Sequence, residues 1–509
     1  MQIMEVVYLV LALLSLCIVL LSRRFRRRST ANEPPGPWQL PVIGSLHHLA
    51  GQLPHHAMRD LAQRHGPVML LRLGDVPTLV VSSPEGALAV MKTHDLAFAT
   101  RPLRATASVL TNGGRDIVFA PYGDYWRQLR KIAVMELLSA RRVLSFRTIR
   151  EEEVAVMLRD VAEAAAATRP VEMRPLLSAL VSDITVRAVM GDRRFKERAV
   201  FLSTLDRSMK LVAGFNPPDL WPSSRLASWL SGAVRRAKEC HDTGHDILDT
   251  IIRERLERRR MEGAGNQDQK DEHLLDVLLS MQEEGRLDMD AVKYVIFVNT
   301  LSLSDLLSGG SETATLEWTI AELIRNPKVM QKVTAEVRQA FEARGSVADD
   351  TLGELPYMHL VIREAFRLHM PTPLLLPREC REPCQILGYD VPRGTQVLIN
   401  VWAMGRDERY WPGAPSEFRP ERFEGEAATL DFRGTNFSFL PFGSGRRTCP
   451  GMAFGLANIE LALASLLFHF DWEGPPREEL DMEEAFGITA RRKADLLLRP
   501  VLRVPLRGV

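Results

Sequence analysis

A mostly apolar segment lies close to the amino terminus, whereas the rest of the chain mixes hydrophobic and polar positions. Residues 6–21 are apolar except for Ser15 and Cys17, and an apolar helix of about 20 residues spans a bilayer. Arginines follow at positions 23, 24, 26, 27 and 28. Positive charge on that flank predicts a membrane anchor over residues 1–22, with the rest of the chain in the cytosol. A cleaved signal peptide and a buried core helix are the alternatives, although a signal peptide carries its positive charges before the apolar run.

A proline-rich segment follows the arginines. Pro34, Pro35 and Pro37 fall within four positions, and this composition favours an extended polyproline-like conformation. We therefore predict a basic and proline-rich linker over residues 23–38 that holds the body of the protein at a fixed pose against the membrane. An ordinary flexible linker is the alternative.

Beyond the linker, the spacing of apolar residues favours helices. Amphipathic helical patterns cover residues 151–166, 244–259, 327–343 and 358–369, and a further helical run covers residues 452–467. Short β-prone stretches lie at residues 68–73, 78–81 and 495–504. A charged, glycine-containing stretch at 258–273 predicts a surface loop between two helices. With no second linker and no internal repeat in the sequence, we predict one mainly α domain with a small β-rich part over residues 39–509.

Composition narrows the class of protein. The 509 residues are 46% hydrophobic and 25% charged, as in a globular protein, and the formal net charge of +1 gives no basic excess for a nucleic-acid partner. Five cysteines, at positions 17, 240, 380, 384 and 449, are too few and too scattered for a disulfide framework. Zinc binding by Cys380 and Cys384 is not favoured, because no paired Cys or His spacing completes a site.

The strongest chemical signal is the glycine-rich segment at 441–451, with the sequence PFGSGRRTCPG. Gly443 and Gly445 allow turn conformations and the close approach of a flat ligand. Cys449 comes just before the predicted helix 452–467, whose amino-terminal dipole stabilises a thiolate. A thiolate can bind haem iron as its axial ligand. From the cysteine alone, a free thiol in a glycine-rich loop is the alternative.

From Phe442 to Gly451 the chain reads Phe-x-x-Gly-x-Arg-x-Cys-x-Gly, which resembles the haem-binding loop of the cytochromes P450. Three further motifs of that family occur in the expected order: Trp-x-x-x-Arg at 126–130, Glu-x-x-Arg at 364–367 and Pro-Glu-Arg-Phe at 420–423. The proline-rich linker and the sequence LPVIG at 40–44 are typical of its plant microsomal branch. The resemblance implies the P450 fold and haem b (heme b), with Phe442 beside the haem and Cys449 as the iron ligand.

The two carboxylates of haem require hydrogen-bond donors. Trp126 and Arg130 are four positions apart on one predicted helix, so both could donate to a propionate. The resemblance adds Arg447 and Arg378 as further propionate partners. For Arg378, an ordinary surface arginine is the alternative.

Glu364 and Arg367 form a possible ion pair in an otherwise apolar helix. They are three positions apart on one face, and such a pair is usually an exposed surface feature of small energy. Apolar neighbours favour a partly buried pair instead, which needs a third hydrogen-bonding partner. The resemblance implies that Arg422 is this partner and that the cluster is structural, holding the haem-binding loop.

The segment 309–313, GGSET, resembles the oxygen-activating part of the central P450 helix, which makes Glu312 and Thr313 the predicted proton-relay residues. The flanks depart from the family. Compared with the family, about seven residues are added before position 305. Two residues are missing before Leu316-Glu317-Trp318, and the loss of two residues rotates the helix that follows by about 200°. If the downstream half keeps its packing, Ser311 takes the relay position instead of Thr313. A gene-model error would produce the same sequence.

Three functions are consistent with these motifs and with their departures from the family pattern. The first is a monooxygenase of the endoplasmic reticulum membrane that receives NADPH electrons from a cytochrome P450 reductase. The others are a peroxide-rearranging haem isomerase and a haem-binding protein with impaired oxygen activation. By resemblance, the cavity is lined by the mostly apolar segments 103–116, 202–221, 374–375 and 486–488, which favours a hydrophobic substrate. Similarity to grass members of the family suggests a terpenoid.

Overall fold

The computed structural model describes residues 32–191, 195–213, 215–262, 273–304, 311–485 and 487–506, with the backbone alone described at 297–304 and 426. The described residues are 55% helical and 10% strand, so the predicted mainly α fold with a small β-rich part is confirmed. The predicted anchor over residues 1–22 lies outside the described residues, as does most of the linker.

Eighteen α-helices are assigned in the described residues. In chain order, α1 to α18 are Pro54–His65, Pro84–Leu88, Ala105–Leu110, Asp124–Ile132, Ala140–Ser145, Arg147–Ala166, Met173–Met190, Arg198–Val212, Pro217–Leu220, Arg225–Ser231, Ala233–Glu262, Leu274–Glu283, Met289–Ser304, Ser311–Arg325, Pro327–Phe341, Pro356–Leu368, Val401–Met404 and Met452–His469.

Short strands form four small sheets in the described part of the chain. In chain order, β1 to β11 are Val68–Leu73, Val76–Val81, Val171–Glu172, Arg378–Glu379, Cys384–Ile386, Tyr389–Val391, Gln396–Ile399, Phe470–Glu473, Glu484–Ala485, Arg491–Arg492 and Leu497–Leu502. The largest sheet has the order β1-β2-β7-β4, in which β2 and β7 are parallel and the other pairs antiparallel. A second sheet has the order β3-β11-β8, and β5-β6 and β9-β10 are two-stranded.

Helix α14 lies at the centre of the helical core and contacts α7, α16 and α18. The apolar side chains of these helices form one large buried cluster. Helix α18 begins three residues after Cys449, so the core that holds α18 also fixes the cysteine loop. This helix is the one described segment long and apolar enough to cross a membrane, and 72% of it is buried inside the fold.

Most predicted elements lie where the pattern placed them, with three differences. The helix predicted over residues 244–259 is part of α11, which begins earlier, at Ala233. The predicted loop at 258–273 begins later, because α11 continues through its charged end to Glu262. Arg259 stabilises this end by donating to the carbonyl oxygen of Asp276, 2.9 Å away. The proline-rich segment is also docked on the fold where it is described. The amide of Leu70 in β1 donates to the carbonyl oxygen of Pro35 at 2.8 Å.

Candidate active site

A large cavity lies between α4, the start of α14 and the cysteine loop. Its walls enclose about 1670 Å³, including the opening to solvent. Seven of the predicted site residues line this cavity: Trp126, Arg130, Glu312, Arg378, Phe442, Arg447 and Cys449. The fold therefore brings together residues that are more than 320 positions apart in the sequence.

The loop before α18 presents the Cys449 side chain to this cavity. The Cys449 amide donates to the Phe442 carbonyl oxygen at 2.9 Å, which closes the loop. Gly445 has a positive φ of 71°, and a Cβ there would lie 2.3 Å from the carbonyl oxygen of Met91. Only glycine fits this turn and this close approach, which explains the glycine-rich sequence.

Cys449 has solvent-accessible surface and lines the cavity. Burial raises its pKa, and a hydrogen bond from the Gly451 amide and the charge of Arg130 offset only part of this. Desolvation by the surrounding protein thus outweighs the expected stabilisation of the thiolate by the helix terminus. A bound metal cation reverses that balance, because a coordinating thiol is deprotonated.

Arg447 joins the cysteine loop to the opposite wall. Its guanidinium donates to the carbonyl oxygens of Ala99 at 2.6 Å and Val118 at 3.0 Å, and it lies over the Trp126 ring at 4.3 Å. Burial and the neighbouring charge of Arg378 lower the pKa of Arg447 to about 9. Trp126 donates its indole N–H to the Ile117 carbonyl oxygen at 2.9 Å.

Arg378 is buried on the same wall, so the surface alternative for this residue does not describe the structure. It donates to the carbonyl oxygen of Ser444 at 2.7 Å and to Asp95 at 3.3 Å. Arg130 is half-buried beside it, and burial lowers its pKa, an effect that the Cys449 charge partly offsets. These two arginines extend the positive surface of the cavity.

Sequence reasoning missed Arg101, which also lines the cavity. Its guanidinium donates to the Leu376 and Pro377 carbonyl oxygens at 2.9 and 3.2 Å. Its buried Nε has no hydrogen-bond partner among the described residues. Burial and the charges of Arg447 and Arg378 hold the Arg101 pKa well below its usual range. No local motif marks this arginine, because its place in the cavity depends on contacts with the segment just before β4, about 275 positions away.

The donor set fits a dianionic, iron-containing cofactor. Arg101, Arg130, Arg378 and Arg447 are called the arginine wall below. Burial lowers the pKa of all four, and the charges of other wall arginines lower it further for Arg101 and Arg447. The Arg101 Nε is a buried donor without a partner among the described residues. Two carboxylates would offset the lowered pKa values of these arginines and would give the Arg101 Nε an acceptor. The thiol of Cys449 offers a soft ligand for iron in the same cavity. The residues present therefore fit haem.

Glu312 lies on another part of the cavity wall, at the start of α14. Its Oε2 accepts a hydrogen bond from Asn458 Nδ2 at 3.1 Å, and its Oε1 is buried without a partner among the described residues. Burial raises the Glu312 pKa to about 8. A Cβ at Gly455 would lie 2.9 Å from Glu312 Oε1, so the glycine makes room for this carboxyl.

Ser311 lines the cavity beside Glu312, whereas Thr313 is fully buried and does not belong to the described lining. The downstream half of α14 is firmly packed. Trp318 is fully buried, donates to the Ala490 carbonyl oxygen at 2.9 Å and stacks on His369 at 4.1 Å. With the downstream half packed in this way, Ser311 and Glu312 are the residues of α14 that line the cavity. The predicted Gly309 and Gly310 lie outside the described residues.

The predicted structural cluster of Glu364, Arg367 and Arg422 is assembled in the structure. Arg367 binds the Glu364 carboxylate through two hydrogen bonds of 2.7 and 2.8 Å, and both side chains are fully buried. Arg422 adds a hydrogen bond of 3.3 Å to Glu364 Oε1. Arg367 also donates to the Pro415 carbonyl oxygen at 2.7 Å. The cluster ties α16 to the segment that precedes the cysteine loop.

A second, outer cavity adjoins the first. Both are lined by five apolar residues: Phe119, Val212, Leu375, Leu376 and Ile488. All four segments predicted to line the cavity contribute to this path, although Phe486 lies outside the described residues. The apolar side chains shared by the two cavities therefore mark a path towards the thiol of Cys449.

A family model described as Cytochrome P450 matches residues 34–498. The chain belongs to the cytochrome P450 family. Members of this family are haem-thiolate enzymes, and this chain is a cytochrome P450 monooxygenase with haem as its cofactor.

Curated relatives of this P450 include plant enzymes. It is 46% identical over 501 residues to desmethyl-deoxy-podophyllotoxin synthase of Sinopodophyllum hexandrum, covering 96% of both chains. It is 47% identical over 508 residues to dolabradiene monooxygenase of Zea mays, covering 98% of both. A zebra fish cytochrome P450 solved with progesterone has the same fold, with a TM-score of 0.72 and 24% identity over 88% of this chain and 99% of that one.

Proposed function

We propose that this P450 inserts one atom of O2 into a hydrophobic plant metabolite of the terpenoid class, using NADPH electrons delivered by a cytochrome P450 reductase. The observation that carries the proposal is the apolar path leading to a cavity that holds both the Cys449 thiol and the arginine wall. Relatives that include plant terpenoid oxygenases support the substrate class.

The protein groups have separate tasks in this reaction. Cys449 Sγ would bind the haem iron, and the arginine wall would hold the propionates, with Phe442 beside the ring. Trp126, whose indole N–H is hydrogen-bonded to Ile117, would support Arg447 by packing against its guanidinium. When bound, the haem supplies the activation of O2. Apolar side chains of the wall exclude water and bind the substrate.

Glu312 is proposed to deliver protons into the cavity. Its pKa of about 8 keeps the carboxyl largely protonated at neutral pH, and its unpaired Oε1 can release a proton without first breaking a hydrogen bond to a described residue. Ser311 is the neighbouring hydroxyl on the wall and the proposed next carrier, a role predicted for Thr313 from the family pattern. The fully buried Thr313 would support the helix from behind the wall.

Membrane attachment completes the proposal. Residues 1–22 would anchor the chain in the endoplasmic reticulum membrane, with the catalytic body in the cytosol. The basic flank of the anchor and the microsomal relatives support this location. A hydrophobic substrate would then enter from the lipid phase or from the cytosol.

The two alternative functions have less support. An enzyme that only rearranges peroxides needs no proton supply from a buried acid, yet Glu312 lies on the cavity wall with a raised pKa. A haem protein without catalysis predicts a disrupted site, whereas the cysteine loop, the arginine wall and Ser311-Glu312 converge on one cavity.

The test begins with the reduced, carbon monoxide-bound difference spectrum of the full chain, followed by turnover with NADPH and a plant reductase on a terpenoid panel. A thiolate-type Soret band with a mono-oxygenated product supports the proposal. Cys449→Ser is the control and should lose that band. The band without product, together with turnover by a variant with two residues inserted after Thr315, would show that the short helix impairs catalysis and would overturn the proposal for this chain.

A further inference from the structure

Outside the haem cavity, the thiols of Cys380 and Cys384 lie close together. Their Sγ atoms are 4.0 Å apart, and both cysteines are free. Cys380 Sγ also lies 3.7 Å from the carbonyl oxygen of Val391, which is the residue paired with Cys384 in the β5–β6 hairpin. Two independent contacts thus place Cys380 beside the first residue of β5. A disulfide needs only a local movement of this turn.

The two thiols differ in access to solvent. Cys380 is fully buried, whereas Cys384 is half-buried. The hydrogen bond between them lowers the pKa of Cys384 and, together with burial, raises the pKa of Cys380. Cys384 is therefore the accessible thiol that reacts first, and Cys380 is the resolving thiol behind it.

Backbone hydrogen bonds connect this pair to the arginine wall. Glu379 in β4 donates to the carbonyl oxygen of Thr100, and Arg381 donates to that of Ala97, both at 2.9 Å. Cys380 lies between these two anchor points. The neighbouring Ala99 carbonyl oxygen accepts from Arg447 Nε at 2.6 Å, and Arg378 begins β4. A cross-link at Cys380 would therefore restrain a segment that supports two arginines of the cavity.

We propose that Cys380 and Cys384 are a redox-active dithiol that forms a reversible disulfide by exchange with a small-molecule disulfide such as glutathione disulfide, and that this bond tightens haem retention. The Cys384 thiolate attacks one sulfur of glutathione disulfide, which gives a mixed disulfide and releases one glutathione thiolate. Cys380 then loses its proton to solvent and displaces the second glutathione. Overall, two protein thiols and one glutathione disulfide become one protein disulfide and two glutathione molecules. The exchange is independent of the proposed substrate.

The first experiment detects the bond itself in the full-length, haem-loaded protein. The protein is equilibrated in glutathione buffers of increasing disulfide content, quenched, alkylated and digested with trypsin. Cleavage after Arg381 separates the two cysteines, so the disulfide leaves two peptides joined. We expect the joined peptides to increase with glutathione disulfide and to disappear on reduction. Complete alkylation of both thiols, or only a glutathione adduct on Cys384, in the wild type would overturn the proposal.

Single variants test the order of events. In Cys380→Ser, Cys384 should keep a glutathione adduct, because no resolving thiol is present. In Cys384→Ser, the buried Cys380 should remain a free thiol. Cys240→Ser removes another buried free cysteine and should leave the joined peptides unchanged. Equal reactivity of Cys380 and Cys384 in the single variants would contradict the assigned order.

The second experiment tests the connection to the cavity. Haem transfer to an excess of a haem-free globin is timed for the oxidised and the reduced protein. We expect slower transfer in the oxidised wild type and no dependence on glutathione ratio in Cys384→Ser. An unchanged rate in the wild type would overturn the effect on haem retention, whatever substrate the enzyme turns over.

Discussion

Asn458 donates a hydrogen bond of 3.1 Å to the buried carboxyl of Glu312, across the contact between α18 and α14. The helix that follows the cysteine ligand therefore also positions the acid on the opposite part of the cavity wall. One hydrogen bond to one oxygen does not offset the loss of water around a carboxylate. This imbalance raises the Glu312 pKa to about 8 and leads to the first two predictions.

Stability should depend on pH through Glu312. The folded pKa of about 8 lies above the unfolded value of 4.5, so the folded state holds this proton more tightly. Its contribution to stability is therefore fully present below about pH 4.5 and is lost as the pH rises towards 8. Glu312→Gln does not titrate. We expect thermal unfolding to show the variant gaining stability relative to wild type between pH 5 and 8.5, by on the order of a few kcal/mol. A constant difference over that range would contradict the buried, protonated acid.

Catalysis should depend on the same proton. We expect Glu312→Gln to reduce product formation by about 10²-fold while the carbon monoxide difference spectrum keeps its thiolate band. Glu460→Gln is the matched control, because burial raises the Glu460 pKa to about 7 but the side chain faces His359, 3.6 Å away, instead of the cavity. Similar losses in both variants would indicate a general effect of removing a buried acid.

Gly455 should be required for the space that Glu312 occupies. In Gly455→Ala the new Cβ would lie 2.9 Å from Glu312 Oε1, and crowding of this kind costs about 1–3 kcal/mol of unfolding free energy. The cost should largely disappear when the substitution is made in a Glu312→Ala background, because the clashing atoms are gone. Gly353→Ala serves as the control, since a Cβ there meets no atom within 4 Å. Additive effects in the double-mutant cycle would disprove the steric relationship.

Arg101 should contribute to haem binding, although no motif identifies it. We expect Arg101→Gln to accelerate haem transfer to a haem-free globin by about 10–100-fold, the range given by one lost hydrogen bond to a charged group. Arg104→Gln is the comparison, because Arg104 lines the outer cavity and donates to Gln396 at 2.8 Å. Equal haem transfer rates for both variants would remove Arg101 from the set of propionate partners.

The buried Glu364 cluster should dominate the stability of the region before the cysteine loop. Glu364→Gln leaves the guanidinium groups of Arg367 and Arg422 without their carboxylate, and we expect a loss of about 3–5 kcal/mol in unfolding by denaturant. Glu239→Gln breaks an exposed pair with Arg235, 3.8 Å apart, and should cost less than about 0.5 kcal/mol. A small effect at Glu364 would mean that backbone carbonyl groups alone hold the two arginines.

Much of the fold and of the candidate site could be predicted from residues that lie close together in the sequence. The cysteine loop, the Glu364–Arg367 pair and the Trp126–Arg130 helix are local motifs, and helix periodicity located α6, α15, α16 and α18 to within a few residues. The loop at 258–273 was predicted to start too early, because charged residues at the end of α11 continue the helix when a partner helix accepts their hydrogen bonds.

The sequence by itself determined the family, the cofactor chemistry and the iron ligand to be tested, because these depend on residue types at short fixed spacings. Only the tertiary structure decided that Arg101 belongs to the cavity wall, that Ser311 and not Thr313 lines the cavity, and that Cys380 meets Cys384 beside the strand that begins at Arg378. Each of these three findings depends on which side chains from distant segments of the chain pack together and exclude water from one another. Such burial is a property of the packed chain, and no local pattern of residues encodes it.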